Sequence, residues 1–223
     1  MRYPFPGYLL GALVAFASGS AFGNVDWKKV DEENGVTIFE QEDPSGFLAF
    51  RTEGVVDAPL HDVAGAILDF KHTPDWVDHL EEDKILSRPT PSRFIEYTHV
   101  GTPFVLKDRD FLCEVNLGLN EKEKTLTIES HSIEDSNFPP TKFVRGSVVH
   151  NEFRLSPLDA SKKTKLVGEF HIDPRGTVPK WVVNLFQRAW PKKAFRAIQK
   201  RVEEGKSQLP AELEPVIAPT AKF

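Results

Sequence analysis

A single cysteine in 223 residues, Cys113, excludes an internal disulfide framework and any cysteine-based zinc site. Motifs for chemistry are missing as well. No GxGxxG follows a strand-like segment, no phosphate-binding loop sequence occurs, no HExxH pairs two histidines on a helix, and no GxSxG elbow presents a serine. The seven histidines (61, 72, 79, 99, 131, 150 and 171) are dispersed. His72 and His79 flank a short helical segment but stand two turns apart, too far to share one ion. No metal and no cofactor is therefore expected. Cys113 falls among Phe and Val on one strand face, which suits packing rather than nucleophilic catalysis. Positive charge is not in excess either. The formal net charge is −5, which argues against a general polyanion binder and against a nucleic-acid partner. No repeat or low-complexity stretch divides residues 24–208.

What the chain does have is apolar bulk. Hydrophobic residues make up 40% of it, and seventeen Phe dominate the aromatic content over four Trp and three Tyr. Phe supplies apolar surface without a polar handle. The N-terminus combines Arg2, an uncharged Leu/Ala-rich run from Tyr8 to Phe16, and an Ala21-x-Gly23 pattern. That is the layout of a cleavable export signal over residues 1–23, and the run is too short to span a bilayer. The expected compartment is periplasmic or extracellular. Residues 24–208 read as one domain, and 209–223, with prolines at 210, 215 and 219, as a mobile tail.

Periodicity assigns the elements. Trp27–Val30 suits a short helical turn, and Asn34-Gly35 marks a tight turn. Residues 36–39 and 47–56 read as strands. Leu60, Val63, Ala64, Ile67 and Leu68 recur at helical spacing, so 59–70 is an amphipathic helix. A second short helix is expected from Thr73-Pro74-Asp75, with Trp76, Val77 and Leu80 inward. Five strand candidates follow at 94–100, 109–119, 125–133, 143–155 and 165–172. In 109–119 the odd positions Phe111, Cys113, Val115 and Leu117 are apolar, and in 165–172 the even positions Leu166, Gly168, Phe170 and Ile172 form the apolar set. One-sided patterns of this kind belong to an antiparallel sheet with one covered face. A helix from about 178 to 206, interrupted by Pro191, carries an apolar stripe through Val182, Leu185, Phe186, Ala189, Ala194, Phe195, Ile198 and Val202. The fold class is α+β, a curved antiparallel sheet wrapped around a long C-terminal helix.

Charge is segregated. Residues 179–206 hold eight cations against two acids, a net +6, on an otherwise acidic body. Lys192, Lys193 and Arg196 on that helix suit an anionic membrane surface, and a solvated face balancing the acidic sheet explains them equally. Arg109 and Arg145 share odd strand positions with apolar residues. An Arg on a covered face needs a carboxylate or an anionic ligand. For Arg145 two readings stand: an ion pair with Asp110 or Glu129, or an anchor for a ligand's polar end.

Several segments resemble a START domain, the lipid-transfer family of the helix-grip fold. They are the Trp27 opening with Asn34-Gly35-Val36, Phe50-Arg51-x-Glu53-Gly54-Val55-Val56, Pro74-Asp75-Trp76, Pro103 with Asp108-Arg109-Asp110-Phe111, Val144-Arg145-Gly146, and Asp173-Pro174-x-Gly176-x-Val178-Pro179-x-Trp181. The resemblance spans about 27–206. It implies a tunnel for one lipid, such as a sterol or phospholipid, lidded by loops and the last helix. Strand parity and family position together make Phe111, Cys113, Phe170, Trp181, Leu185 and Phe195 tunnel-lining candidates, with Arg145 the polar anchor. A monomeric, non-enzymatic carrier is the expected function. An enzyme of the cyclase or hydratase type on the same fold, and an interaction module with a filled core, are the alternatives. The export signal departs from the cytosolic setting of the animal members and points to a bacterial envelope protein.

Overall fold

Asn34 and Gly35 both adopt positive φ, 49° and 76°, and close the first hairpin as a two-residue turn. That hairpin joins β1 (Lys28–Glu33) to β2 (Val36–Glu42), and β3 (Leu48–Val56) follows. The computed structural model describes residues 27–44, 46–102 and 106–222, and for 181, 185–187, 221 and 222 the backbone alone. The expected export signal lies outside the described residues.

After β3 come α1 (Leu60–Leu68), a 3₁₀ turn (Phe70–Asp75), β4 (Leu80–Thr90), β5 (Arg93–Val100), β6 (Arg109–Asn120) and β7 (Thr125–Ser132). Then follow β8 (Val144–Arg145), β9 (Ser147–Leu158), β10 (Lys163–Asp173) and α2 (Lys180–Glu203). The main path of the sheet runs β1-β2-β3-β10-β9-β7-β6-β5-β4, and β8 pairs with β6 off this path. Every pairing along the path is antiparallel. This is the expected α+β sheet closed by a C-terminal helix.

The covered face is set by alternation. Val36, Ile38, Phe50, Val56, Phe94, Val115, Leu117, Leu126, Ile128, Leu155 and Leu166 join α1, Phe195 and Ile198 in one cluster. Burying each large side chain of this kind contributes roughly 1.5–3 kcal/mol. Helix α2 gets this close to the sheet because position 54 has no side chain. A Cβ there would lie 2.5 Å from Cζ of Phe195.

Three expectations change. Trp27–Val30 is not a helical turn, since Lys28–Glu33 pairs with β2 as an exposed edge strand. The second helix is only the 3₁₀ turn, and Leu80 opens β4, a strand whose acidic, Pro-containing sequence hides its β character. The segment beyond Lys206, expected to be mobile, packs back on α1. Leu213 and Ile217 are fully buried, and the backbone of Leu209 crosses at Gly65, where a Cβ would lie 3.2 Å from the Leu209 nitrogen. Its prolines sit in a docked segment rather than a free chain.

Gly54→Ala drives a methyl into the Phe195 ring, so it is expected to cost about 1–3 kcal/mol in denaturant unfolding. Unchanged stability would show that α2 does not rest on β3 as described.

Candidate functional site

Strand register places a line of polar side chains on the covered face. Asp83 of β4 lies opposite Thr98, and Thr98 lies opposite Phe111. Glu96 stands between Ile85 and Cys113, and Cys113 lies opposite Ser132. Asn151 stands between Ser130 and Phe170. This band separates the main cluster from a smaller one of Phe111, Cys113 and Val148, against which Val100 and Ile172 pack. The covered face therefore has two apolar ends and a polar middle.

The middle is electrostatically unusual. Burial, with Asp83 alongside, pushes Glu96 well above the ordinary carboxylate range. Burial also raises Asp83, to about 6, while hydrogen bonds from Glu96 and Thr73 act against the shift. Glu96 thus keeps its proton and donates to Asp83, and the two share one negative charge near neutrality. Two acceptors in the band have no partner: Asp83 Oδ1 and Asn151 Oδ1 are buried and accept no hydrogen bond. The Asn151 amide donates to Ser130 Oγ at 2.9 Å. Cys113, beside Glu96, has its thiol pushed up to about 12 by burial. It is no thiolate nucleophile at neutral pH.

Arg109 closes one end of this face. It is buried, and its guanidinium donates to the carbonyls of Pro174 (3.3 Å), Arg175 (3.3 Å) and Lys107. It fastens the segment before β6 to the turn that leads into α2. The neighbouring Asp108 accepts from Thr102 N and His99 Nε2, both at 3.0 Å, and Phe143 stacks on the His99 ring.

The expected site residues divide. Phe111, Cys113 and Phe170 lie on the covered face near the polar band. Phe170 makes edge contacts with Phe153 and with Trp190 of α2. Phe195 belongs to the main cluster against Gly54, so it packs rather than lines. The side chains of Trp181 and Leu185 lie outside the described residues. Arg145 is on the other face. Its Nε and Nη2 donate to the two carboxylate oxygens of the fully buried Asp110, both at 3.1 Å, and Thr141 donates to the same carboxylate. Of the two readings the ion pair with Asp110 holds. Odd-position parity misled because β9 carries a bulge: its register to β10 passes from His150 to Val148 and skips Val149, so Asn151 and Val148 both face the covered side and the odd residues before the bulge face away. Phe111 fills the space over Gly146, where a Cβ would lie 2.2 Å from its ring.

The three cations expected at a membrane are engaged within the chain. Lys192 reaches Asp31 (3.0 Å) and Glu33, Lys193 reaches Asp78 (2.5 Å), and Arg196 donates to the Glu33 carbonyl (2.9 Å). With Arg188–Glu40 at 3.3 Å, they hold α2 to the first hairpin and to the turn before β4. Exposed pairs of this kind contribute only about 0–1 kcal/mol each.

Two outcomes test this geometry. A raised carboxyl pKa means that the folded state holds its proton more tightly than the unfolded chain. Stability then falls as pH rises from about 4 to about 6, by on the order of 3 kcal/mol for Asp83. Asp83→Asn is expected to flatten that slope in unfolding curves between pH 4.5 and 7.5; parallel slopes for the two proteins would contradict a buried Asp83. Arg145→Met strands the Asp110 carboxylate and is expected to cost about 3–5 kcal/mol. A melting temperature close to wild type would refute the ion pair.

Comparison with known proteins adds the following. The START domain family model matches residues 12–206. An uncharacterized protein of Pseudomonas aeruginosa is 23% identical over 199 residues, covering 88% of this chain and 96% of its own length. The phosphatidylcholine transfer protein of Bos taurus is 24% identical over 172 residues, 74% of this chain and 78% of its own. Among solved structures, human StAR-related lipid transfer protein 5 superimposes with a TM-score of 0.73 at 25% identity, covering 82% of this chain and 89% of that one.

Proposed function

We propose that this chain, which belongs to the START domain family, binds one lipid between the covered face of its sheet and α2, and carries or presents it at membranes. The observation that carries the reading is the polar band with two unpartnered buried acceptors, set between two apolar clusters. Most buried polar side-chain atoms in folded proteins have partners, and although Trp76 Nε1 and Asn184 Oδ1 also lack one here, Asp83 Oδ1 and Asn151 Oδ1 lie together in one band, where a bound molecule with an apolar body and a polar end supplies what is lacking. The names of the similar proteins, phosphatidylcholine transfer protein and StAR-related lipid transfer protein, point the same way. Phe111 and Phe170 are the described apolar lining in this reading, and the polar contact passes from Arg145 to Asp83, Glu96 and Asn151.

The role is binding rather than catalysis in this reading, since the named relatives are lipid-transfer proteins and Cys113, held protonated by burial, offers no thiolate nucleophile. Uptake requires α2 to part from the sheet. Lys192, Lys193 and Arg196 would then exchange their acidic partners in the chain for anionic headgroups, so the basic helix is both latch and membrane contact. Export by residues 1–23 would place this monomeric carrier in a bacterial envelope.

The purified protein, extracted with organic solvent and analysed by mass spectrometry, is expected to release one lipid per chain. It is also expected to move radiolabelled lipid between vesicle populations. Absence of bound lipid together with absence of transfer would overturn the carrier reading.

A further inference from the structure

Two acceptors of the polar band lack a donor. Asp83 Oδ1 and Asn151 Oδ1 are buried and receive no hydrogen bond. The one amide donor of Asn151 that bonds within the band goes to Ser130, and the acid pair keeps its proton between Glu96 and Asp83. Cations of the surrounding elements are committed elsewhere. Arg109 is bound to three backbone carbonyls, Arg145 to Asp110 on the opposite face, Arg188 to Glu40 and Arg201 to Asp69, and Arg88 lies over the Phe94 ring and pairs with Glu212 at 3.7 Å, within the main apolar cluster.

We infer that the ligand's polar end is a hydrogen-bond donor without negative charge, a hydroxyl or an amide N–H, and that this interior rejects lipids ending in a phosphate monoester or carboxylate. The inference rests on the carrier reading and narrows it to a ligand class. A donor completes the two unpartnered oxygens, whose desolvation is otherwise uncompensated. An ether or ester oxygen in its place leaves them orphaned. An anion does worse, because it sets like charge beside a partly ionised carboxyl pair in a low-dielectric interior with no cation to offset it. Discrimination of this kind, in which a buried polar group is left unpaired by the wrong ligand, runs to large factors where an apolar pocket alone gives small ones.

The test uses the full chain and phosphatidylcholine vesicles. They are doped with equal amounts of cholesterol, cholesterol 3-methyl ether, ceramide, dioleoylglycerol and dioleoyl phosphatidic acid. Protein is re-isolated, extracted, and its lipids quantified against the vesicle composition. The expected bound fraction is made of hydroxyl lipids, with at least one of the three enriched tenfold or more over both phosphatidic acid and the methyl ether. Asp83→Asn and Asn151→Leu are each expected to shrink that ratio severalfold. For Asp83→Asn the melting temperature at pH 7.5 does not fall, an outcome that a purely structural role for the carboxylate would not give. Uptake of phosphatidic acid, of the methyl ether or of phosphatidylcholine at the level of the hydroxyl lipids overturns the head-group inference and leaves the carrier standing. If no lipid is bound from any vesicle, the carrier reading fails and this inference with it.

Discussion

Placing two carboxyl groups on the covered face of a β-sheet is costly, and much of this structure follows from that cost. Glu96 and Asp83 sit on neighbouring strands, facing inward on a face whose two ends are aliphatic and aromatic. Neither meets a basic side chain there among the described residues, and sharing a proton relieves only part of the cost. A chain selected for stability alone would hold leucine or valine at both positions. The acids, Ser130, Asn151 and the paired Cys113 and Ser132 are where, in the proposed carrier, the interior meets the polar end of its ligand.

The remaining architecture serves that middle zone. One apolar cluster roots α2 and α1 on the sheet, with Phe195 seated over Gly54 and the chain after Lys206 packed against α1. The smaller cluster closes the other end, where Arg109 ties two loops together through their carbonyls. Helix α2 is fixed strongly at its C-terminal half by buried packing. Its N-terminal half is held by Phe170 against Trp190 and by the solvent-facing Arg188–Glu40 pair, and Lys192 continues these ion pairs to the first hairpin from just past the middle of the helix. The two modes differ in kind. Buried packing resists opening, whereas solvent-facing ion pairs are weak and exchangeable. A helix anchored at one end and latched at the other is suited to admitting a large ligand without unfolding the domain.

How much the sequence disclosed depended on whether a residue obeyed its pattern. The apolar odd positions of 109–119 identified the covered face of β6 correctly, and the stripe from Ala194 to Val202 identified the helix that covers the sheet. Resemblance in a handful of short segments was enough to identify the family. What escaped were residues that violate the pattern. Alternation assigns charged residues outward, so Asp83 and Glu96 gave no sign of being buried, and β4, whose inward positions begin with an acid, did not read as a strand at all. Arg145 failed for another reason: parity carries information only along a strand of constant register, and the bulge at Val149 shifts the alternation by one. The lone proline inside α2 and the three in the terminal segment also misled, because tertiary packing held both segments in place despite them.

The central claim is that a lipid lies between the polar band and α2. A crystal structure of the protein loaded with its extracted lipid tests this directly. The predicted result is a lipid body against Phe111 and Phe170, with its polar end within about 3.2 Å of Asp83 or Asn151. Density showing that space closed by the chain's own side chains, with the lipid bound elsewhere, would contradict it.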